Sequence, residues 1–483
     1  MKLSCQTIWP WGAAVLTGVL LALCYPRCDQ GWLSWIALTP LISALWFSHE
    51  TGRCVWLKKA GLGYVSGLTF FSLTFKWLSS LAGLFGSPWL VLIPVLLALY
   101  LAVYFGFWGW FIGCILSERE FLHSGKNLWI AFLGAAAWVG PEWVRGWLFG
   151  GFGWNGLGVA LHKNLALIQI ADITGVWGLS SLVAFTNLIA VITIRRLMVE
   201  VKQGRLRPHY DFSLTMALVV FLFSYGVRCL RVKVPGTPLR IAAIQANIPQ
   251  NEIFGAHSTK PIKASYTQLT ELALITRPEL LIWPESSVPE GGMDSNRENQ
   301  LFVNQFASKP NVNFLLGTDD AEIHDGVECD FNAAVLLTSQ GEDVQIYHKI
   351  HLVPFGEYLP LRHSFPLFAW FAGEMVPGDF NSGTEYTILE TKTPRVKIAP
   401  LICFEDTLGD LTRQFVLKGA QILVNITNDA WFQKTEGAEQ HLANAVFRAV
   451  ETRRPLIRAA NTGITCCIDR FGRWHPTWGA SWR

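Results

Sequence analysis

The chain has 483 residues, of which 51% are hydrophobic and only 16% are charged. Its 22 tryptophans and its positive mean hydropathy of +0.30 set it apart from an ordinary soluble enzyme and indicate that part of it lies in a membrane. The net charge of +3 is too small to indicate a nucleic-acid partner. The ten cysteines form no CxxC pair and no metal-ligand spacing, so they predict no metal site.

Long apolar runs separated by short polar links occupy the first half of the chain, up to about residue 230. A helix needs roughly 20 apolar residues to cross a hydrocarbon core of about 30 Å. We therefore predict a transmembrane domain of about seven helices over residues 1–230. The apolar runs lie at 12–25, 32–47, 60–82, 89–116, 128–140, 173–194 and 212–229.

The distribution of Lys and Arg predicts the orientation of these helices. Basic residues concentrate at Lys2 and in the links at 53–59, 119–126 and 195–207, whereas the alternate links hold few. Because basic links stay on the cytoplasmic side, the N-terminus is predicted to be cytoplasmic. An odd number of helices then places everything after residue 230 on the outer side of the membrane.

The second half of the chain reads as a separate α/β domain over 239–483, after a linker at 231–238 that contains Pro235-Gly236-Thr237-Pro238. Consecutive strand-like runs between 312 and 347, with no helix between them, favour a mixed sheet over a doubly wound parallel one. Predicted strands lie at 239–245, 280–283, 312–317, 333–337, 343–347, 396–403, 422–426 and 456–460. Predicted helices lie at 262–275, 295–307, 408–417 and 436–452.

Three residues suited to acyl transfer, Glu285, Lys349 and Cys403, each stand at the end of a strand-like run in this domain. A cysteine attacks a carbonyl as its thiolate, so Cys403 needs a base and a positive neighbour. Glu285, which follows the rigid Pro284, is the predicted base. Lys349 is predicted to supply positive charge to the thiolate and to a developing oxyanion.

Neighbouring residues fit supporting roles at the same site. The backbone N–H of Phe404 would help Lys349 to stabilise the oxyanion. Glu357 and Glu405 would either hold the Lys349 ammonium or carry protons. Taken singly, a cysteine at a strand end is more often a packing residue, and a lone Glu or Lys after a strand is more often a solvated loop residue. Only the ordered combination of three favours a catalytic site.

Several stretches around these residues are similar to those of a known family. The ordered Glu, Lys and Cys resemble the nitrilase, or carbon–nitrogen hydrolase, superfamily. The preceding membrane half and the motifs narrow the resemblance to the apolipoprotein N-acyltransferases, over nearly the whole chain. The motifs are Trp283-Pro284-Glu285, Leu352-Val353-Pro354-Phe355-Gly356-Glu357-Tyr358, Asn428-Asp429-Ala430-Trp431-Phe432, Arg458-Ala459-Ala460-Asn461-Thr462-Gly463 and Glu142-Trp143-Val144-Arg145-Gly146-Trp147.

This resemblance implies a polytopic α-helical membrane domain followed by a nitrilase-like α-β-β-α sandwich domain. It implies a ping-pong acyltransferase in the bacterial inner membrane, with the catalytic domain on the periplasmic face and no cofactor. The acyl donor would be a membrane phospholipid, and the acceptor a diacylated apolipoprotein. Tyr358, Trp431 and Arg145 are expected to contact substrate or lipid, with interfacial snorkelling left open for Arg145.

Two features leave alternatives open. Members of the family continue into a closing membrane helix, whereas no apolar run follows Trp478, so we expect that helix to be missing here. An inactive protein that binds lipids or lipoproteins is therefore one alternative, if the short C-terminus is genuine. A membrane-tethered amidase or hydrolase, in which water replaces the amine at the thioester, is the other. The apolar run at 365–371 is expected to be either a lid against the bilayer or a core helix.

Overall fold

A computed structural model shows two compact units, which comprise residues 1–83 with 87–232 and residues 84–86 with 233–483. The structure describes residues 5–48, 54–115, 121, 123–233, 236–250, 259–289, 292–293, 297–309, 312–324, 326–338, 341, 343–359 and 379–476. The apolar run at 365–371 and the chain end after residue 476 lie outside the described residues, so both expectations about them stay predictions.

The first unit is helical in its described part. Its α-helices are α1 (Cys5–Leu23), α2 (Ser34–Ala37), α3 (Thr39–Phe47), α4 (Val55–Thr74), α5 (Leu81–Phe85), α6 (Ile93–Trp110), α7 (Ser124–Arg145), α8 (Leu165–Ile168), α9 (Ala171–Gln203) and α10 (Tyr210–Leu230). Each of the seven predicted apolar runs falls on one or more of these helices or on the short turns beside them.

Within the described ranges, three helical stretches are long and apolar enough to cross a membrane. They are Pro88–Cys114, Ala171–Gln203 and Tyr210–Leu230. The pair Val55–Thr74 and Lys76–Phe85 would make a fourth if its 51° bend is a break within one span, and Ile8–Leu23 and Gly31–Phe47 are shorter apolar helices. The count of seven spans therefore stays a prediction.

Glycines allow α4 and α6 to approach each other closely. A Cβ atom on Gly63 would lie 2.2 Å from the backbone oxygen of Phe105 and 3.0 Å from the Cα atom of Gly109. A Cβ on Gly109 would in turn lie 2.7 Å from the Lys59 oxygen. Small residues at such positions let helix backbones pack directly, which is how helices associate where lipid removes the hydrophobic driving force.

The second unit contains two mixed sheets. The first has the order β1 (Ile241–Ala243), β2 (Leu280–Ile282), β3 (Asn313–His324), β4 (Val327–Thr338) and β5 (Asp343–His348). β1, β2 and β3 pair in parallel, and β4 and β5 continue the sheet antiparallel. The parallel strands are joined through helices, as parallel connections require.

The second sheet runs in the order β11 (Trp474–Pro476), β10 (Cys466–Ile468), β9 (Leu456–Ala460), β8 (Ile422–Thr427), β7 (Lys397–Ile402) and β6 (Leu389–Glu390). Its three central strands, β7, β8 and β9, are parallel. Their carboxyl ends therefore meet at one edge, and that edge carries the residues after Ile402 and Thr427.

Four helices accompany the sheets: α11 (Thr259–Leu274), α12 (Arg297–Ala307), α13 (Gly409–Leu417) and α14 (Gly437–Thr452). α11 and α12 bury Tyr266 and Phe302 against Trp283, which follows β2, in one apolar core with Phe314 of β3. α14 is buried along almost its whole length. The four helices lie within two or three residues of their predicted positions, and the expectation of a mixed sheet is confirmed.

Several strand boundaries differ from the predictions: β1 is shorter than its predicted run at 239–245, and β4 begins at Val327 rather than at 333. The hairpin of β3 and β4 extends to His324, because its acidic outer half pairs strand to strand even though it lacks an apolar pattern. Cys403, predicted as the last residue of a strand, instead begins a 3₁₀ turn (Cys403–Thr407). The short strands β6, β10 and β11 were not among the predicted strands, since runs of two or three residues carry no periodicity.

Candidate active site

Cys403 stands directly after β7, in a turn that aims its side chain away from the strand. Its φ angle is +53°, in the left-handed region that residues other than glycine rarely adopt. The side-chain amide of Asn425, on β8, donates to the Cys403 backbone oxygen at 2.9 Å and holds the turn. Strained φ values of this kind concentrate at functional sites, where the surrounding structure maintains them.

Two consecutive residues at the end of β8 link Cys403 to Glu285. The Thr427 side chain neighbours the Cys403 thiol and lowers the pKa of that thiol. The next residue, Asn428, donates its backbone N–H to Oε2 of Glu285 at 2.9 Å. Adjacent residues of one strand end thus neighbour the thiol and bind the carboxylate, although Cys403 and Glu285 follow strands of different sheets.

The Glu285 carboxylate is buried, with only 6% of the residue exposed. Asn332 of β4 donates to its Oε1 atom at 2.8 Å, and the Lys349 ammonium lies 3.8 Å from the same atom. Burial raises the pKa of Glu285, while Lys349 opposes that rise. A carboxylate with a raised pKa is a stronger proton acceptor once ionised, as a general base requires.

Lys349 follows β5 and is 1% exposed. Its Nζ atom donates to Oε1 of Glu357 at 2.8 Å, and its backbone N–H donates to the oxygen of Asn332 at 2.8 Å. Burial alone would lower its pKa, but Glu357 and Glu285 raise the pKa above the ordinary value, so the side chain is an ammonium. The site therefore has a fixed positive charge beside the base.

The Cys403 thiol is protonated in the resting site. Burial, followed by the negative charge of Glu285, raises its pKa well above the ordinary value, and Lys349 only partly offsets this. A neutral thiol transfers its proton to a neighbouring carboxylate during attack rather than before it.

Glu405 joins the Cys403 turn to the loop that carries Lys349. Its Oε1 atom accepts from the backbone N–H groups of Ile350 at 2.9 Å and His351 at 3.0 Å. Its Oε2 atom accepts from the N–H of Ile402 at 2.8 Å, and the Tyr347 hydroxyl donates to Oε1 at 2.8 Å. Burial raises the pKa of Glu405 to about 7.

The two supporting glutamates therefore differ in position. Glu357 holds the Lys349 ammonium, as one of its predicted roles requires. Glu405 instead binds backbone N–H groups and a tyrosine. Phe404 is buried, and its ring stacks on that of His351 with 5.7 Å between centroids.

Comparison with known proteins shows the family to which this chain belongs. Residues 17–189 match the model of the apolipoprotein N-acyltransferase N-terminal domain, and residues 240–477 match that of carbon-nitrogen hydrolases. An apolipoprotein N-acyltransferase of Geobacter metallireducens is 37% identical over 95% of this chain and 85% of its own length. The chain belongs to the apolipoprotein N-acyltransferase family.

Other relatives agree with this assignment. An apolipoprotein N-acyltransferase of Methylococcus capsulatus is 31% identical over 95% of this chain and 86% of its own length. Among solved structures, a Saccharomyces cerevisiae member of branch 10 of the nitrilase superfamily is 15% identical, with a TM-score of 0.38 over 50% of this chain and 86% of that one. A helical membrane domain followed by a nitrilase-like domain, as expected from the sequence, is confirmed by the two family models.

The residues expected to contact substrate or lipid fall in both units. Tyr358 and Trp431 are half-buried in the second unit, on the loop after Lys349 and in the turn after β8. Arg145 ends α7 in the first unit and is 3% exposed. Its guanidinium donates to the Trp154 oxygen at 3.1 Å and lies over the Phe71 ring.

Sequence reasoning missed Asn332, which donates to Glu285 and to Glu357, at 2.8 Å in both cases. Its one visible signal was a single polar residue in the strand run Phe331-Asn332-Ala333-Ala334-Val335. Such a residue at a buried position needs hydrogen-bond partners, so it indicates a polar site beside the strand.

One group in the described ranges has the side chains of a metal site. Ligand atoms of Asp320, Glu322 and His348 lie within 4.8 Å of one another. His348 donates from Nε2 to Oδ2 of Asp320 at 2.6 Å and stacks on Phe331. These side chains lie on β3 and β5, and none of the three catalytic candidates belongs to the group.

Proposed function

We propose that this protein transfers an acyl chain from a membrane phospholipid to the α-amino group of the N-terminal diacylglyceryl-cysteine of apolipoproteins. Membership in the apolipoprotein N-acyltransferase family supports the overall reaction. The observation that carries the mechanism is the buried Glu285 carboxylate, which binds Asn332 and the Asn428 backbone N–H, lies 3.8 Å from the Lys349 ammonium and acts on the pKa of Cys403.

In the first half-reaction, Glu285 accepts the thiol proton as Cys403 Sγ attacks the ester carbonyl carbon of the phospholipid. The tetrahedral oxyanion is stabilised by the Lys349 ammonium and the Phe404 backbone N–H. Collapse breaks the C–O bond, and Glu285 returns the proton to the departing alkoxide. The products are a lysophospholipid and a thioester on Cys403.

In the second half-reaction, the neutral α-amine of the acceptor attacks the thioester carbonyl. Glu285 accepts a proton from the amine, the same donors stabilise the oxyanion, and the C–S bond breaks. The proton on Glu285 then returns to the Cys403 thiolate, which regenerates the resting site. No electron acceptor or cofactor is needed, because the ester supplies an activated acyl group.

Both substrates are anchored in lipid, so the site must work at the membrane surface. We place it on the periplasmic face of the bacterial inner membrane, as the Lys and Arg distribution predicts. Tyr358 and Trp431, near the triad in sequence and partly exposed, would contact the substrates. Arg145, in the helical unit, would contact lipid.

The test separates the two half-reactions. Purified protein is incubated with phospholipid vesicles alone, and intact-mass and peptide spectrometry measure lysophospholipid and acyl-Cys403. We expect one acyl group per protein and an equal amount of lysophospholipid. A diacylglyceryl peptide with a free N-terminal cysteine is then added, and we expect a triacylated peptide with loss of the thioester.

Cys403→Ser tests the nucleophile, and Cys329→Ser, on β4, is the matched control. We expect the first to abolish the acyl-enzyme and the second to leave both half-reactions unchanged. Release of free fatty acid without triacylated peptide would mean that the protein is a hydrolase and not an acyltransferase. Absence of any acyl group on Cys403 while the triacylated peptide still forms would overturn the ping-pong mechanism.

A further inference from the structure

Four fully buried ionisable side chains lie behind the Cys403 turn and have no role in the proposed reaction. They are Asp406, Asp429, His441 and Arg458, each 0% or 1% exposed. His441 of α14 lies 2.8 Å from Asp429 through Nδ1 and 2.9 Å from Asp406 through Nε2. Arg458 of β9 pairs with Asp406 and lies 3.4 Å from Asp429. We call these four residues the buried quartet.

His441 lies between two carboxylates, and one guanidinium nitrogen of Arg458 lies 3.3 Å from its Nδ1 atom. Both ring nitrogens face carboxylate oxygens at 2.8 and 2.9 Å, and the attraction of two negative charges favours the imidazolium over the neutral ring. An isolated charge is very costly to bury, but the attraction between two cations and two anions buried together offsets much of that cost. With His441 protonated, His441 and Arg458 balance Asp406 and Asp429. Burial opposes this charge, but Asp406 raises the pKa of His441 to about 9.

The quartet connects to both segments that hold the thiol. Asp406 belongs to the 3₁₀ turn that begins at Cys403. Asp429 follows Thr427 by two residues, and the Thr427 hydroxyl lies 3.4 Å from its Oδ1 atom. On the other side of Asp429, a Cβ atom on Gly463 would lie 2.4 Å from Oδ2. The carboxylate therefore has little room to move away from its partners.

We propose that His441 is a permanently protonated positioning residue that, with Arg458, fixes Asp406 and Asp429 and so sets both the place and the electrostatic environment of the Cys403 thiol. The inference rests on Cys403 being the nucleophile of the proposed function. The reactivity of the Cys403 thiol, however, can be measured without any acyl transfer.

The charged groups that act on Cys403 include Glu285, Lys349 and Asp429, and Arg458 of the quartet also interacts with it. Removing the positive charge of His441 leaves the quartet with a net charge of −1, which disfavours the thiolate. Removing the negative charge of Asp429 leaves +1, which favours it. The two substitutions are therefore expected to act in opposite directions, although both disturb the same hydrogen bond.

The experiment measures carboxamidomethylation of Cys403 by iodoacetamide, quantified on its own peptide by mass spectrometry, between pH 6 and pH 9. For His441→Gln we expect the rate at pH 8 to fall about tenfold, since one removed charge shifts a nearby pKa by roughly one unit. For Asp429→Asn we expect a several-fold rise. The double variant restores neutrality, and its rate is expected to return to within about threefold of the parent.

His475→Gln, on the exposed strand β11, is the matched control and is expected to leave the rate unchanged. Thermal unfolding followed by tryptophan fluorescence identifies any variant that does not fold. If folded His441→Gln and Asp429→Asn shift the rate in the same direction, or if neither shifts it, charge balance by the quartet is wrong. Failure of acyl transfer in the parent, with these alkylation shifts intact, would overturn the proposed function and leave this inference standing.

Discussion

The Lys349 ammonium lies 2.8 Å from the Glu357 carboxylate, in a position where it is almost completely shielded from water. Glu357 is itself fixed, because its Oε2 atom accepts from the Val353 N–H at 2.8 Å. The ammonium is therefore oriented by a carboxylate whose own position is set by the backbone of the same loop. The residue that orients Lys349, Glu357, is therefore different from the residue proposed as the base, Glu285.

Glu357→Gln should impair catalysis while leaving Cys403 in place. Glutamine keeps the shape of the side chain but removes the negative charge, so Lys349 moves toward its remaining partner, Glu285. Because misplacing a catalytic group by about 1 Å costs roughly a hundredfold, we expect kcat to fall by about that factor. Initial rates of triacylated-peptide formation measure it. Glu298→Gln, on the exposed face of α12, is the control, and equal rates in both variants would contradict the role of Glu357.

Asn332→Leu should shift the pH dependence of the reaction. The Asn332 amide hydrogen bond lowers the pKa of Glu285, so its removal raises that pKa further. A base with a higher pKa stays protonated to higher pH. The acidic limb of the kcat/KM profile is therefore expected to move toward alkaline pH, by about one unit for one lost hydrogen bond to a charged group.

The profile is measured between pH 5 and pH 9 with the vesicle and peptide assay. Asn304→Leu, exposed on α12, serves as the control and should leave the acidic limb unmoved. A lower rate with an unshifted limb would mean that Asn332 acts only through packing and not on the ionisation of Glu285.

Glu405→Gln should destabilise the second unit. The carboxylate accepts from three backbone N–H groups and one hydroxyl, whereas glutamine places an NH₂ donor against some of these donors. Unsatisfied buried donors cost about 1–3 kcal/mol each, so a loss of roughly 3 kcal/mol is expected. For a unit of this size that corresponds to a melting temperature lower by roughly 6–12 °C.

Tryptophan-fluorescence melts in detergent give the shift. Glu439→Gln replaces an exposed acid in the first turn of α14 and should change the melting temperature by less than about 1 °C. A melt of Glu405→Gln within that margin would contradict the proposed link between the Cys403 turn and the Lys349 loop.

The three catalytic candidates could be found from sequence because each follows a strand with a clear apolar pattern. Glu285 and Lys349 follow strands of the first sheet and Cys403 follows a strand of the second, so the strand ends indicated the candidates but not how the two sheets bring them together. The different contacts of Glu357 and Glu405 could not be predicted in this way. It depends on how the loop after Lys349 folds back, and the local sequence around neither carboxylate indicates which groups it will bind.

Asn332 and the outer part of the β3–β4 hairpin show a second limit. The hairpin register pairs Asp319 with Asn332 and so fixes which polar side chains reach Glu285. Register is a property of two strands together, and the charged residues Asp319 to Glu322 carry no apolar signal that would reveal it. Similarly, His441 in an otherwise ordinary helix gave no indication that two carboxylates from distant segments would meet it.

Gly63→Ala should destabilise the helical unit, because the packing of α4 against α6 leaves no room for a methyl group. The added Cβ would lie 2.2 Å from the Phe105 oxygen, which is backbone and cannot rotate away. The helices must therefore separate, at a cost of about 1–3 kcal/mol for an overpacked position. Gly140→Ala is the matched control, since no atom lies within 4 Å of the Cβ position on Gly140 in α7. We expect gel filtration in detergent after heating to show loss of monodisperse protein at a lower temperature for Gly63→Ala only, whereas equal losses for both variants would mean that helix propensity rather than close packing decides.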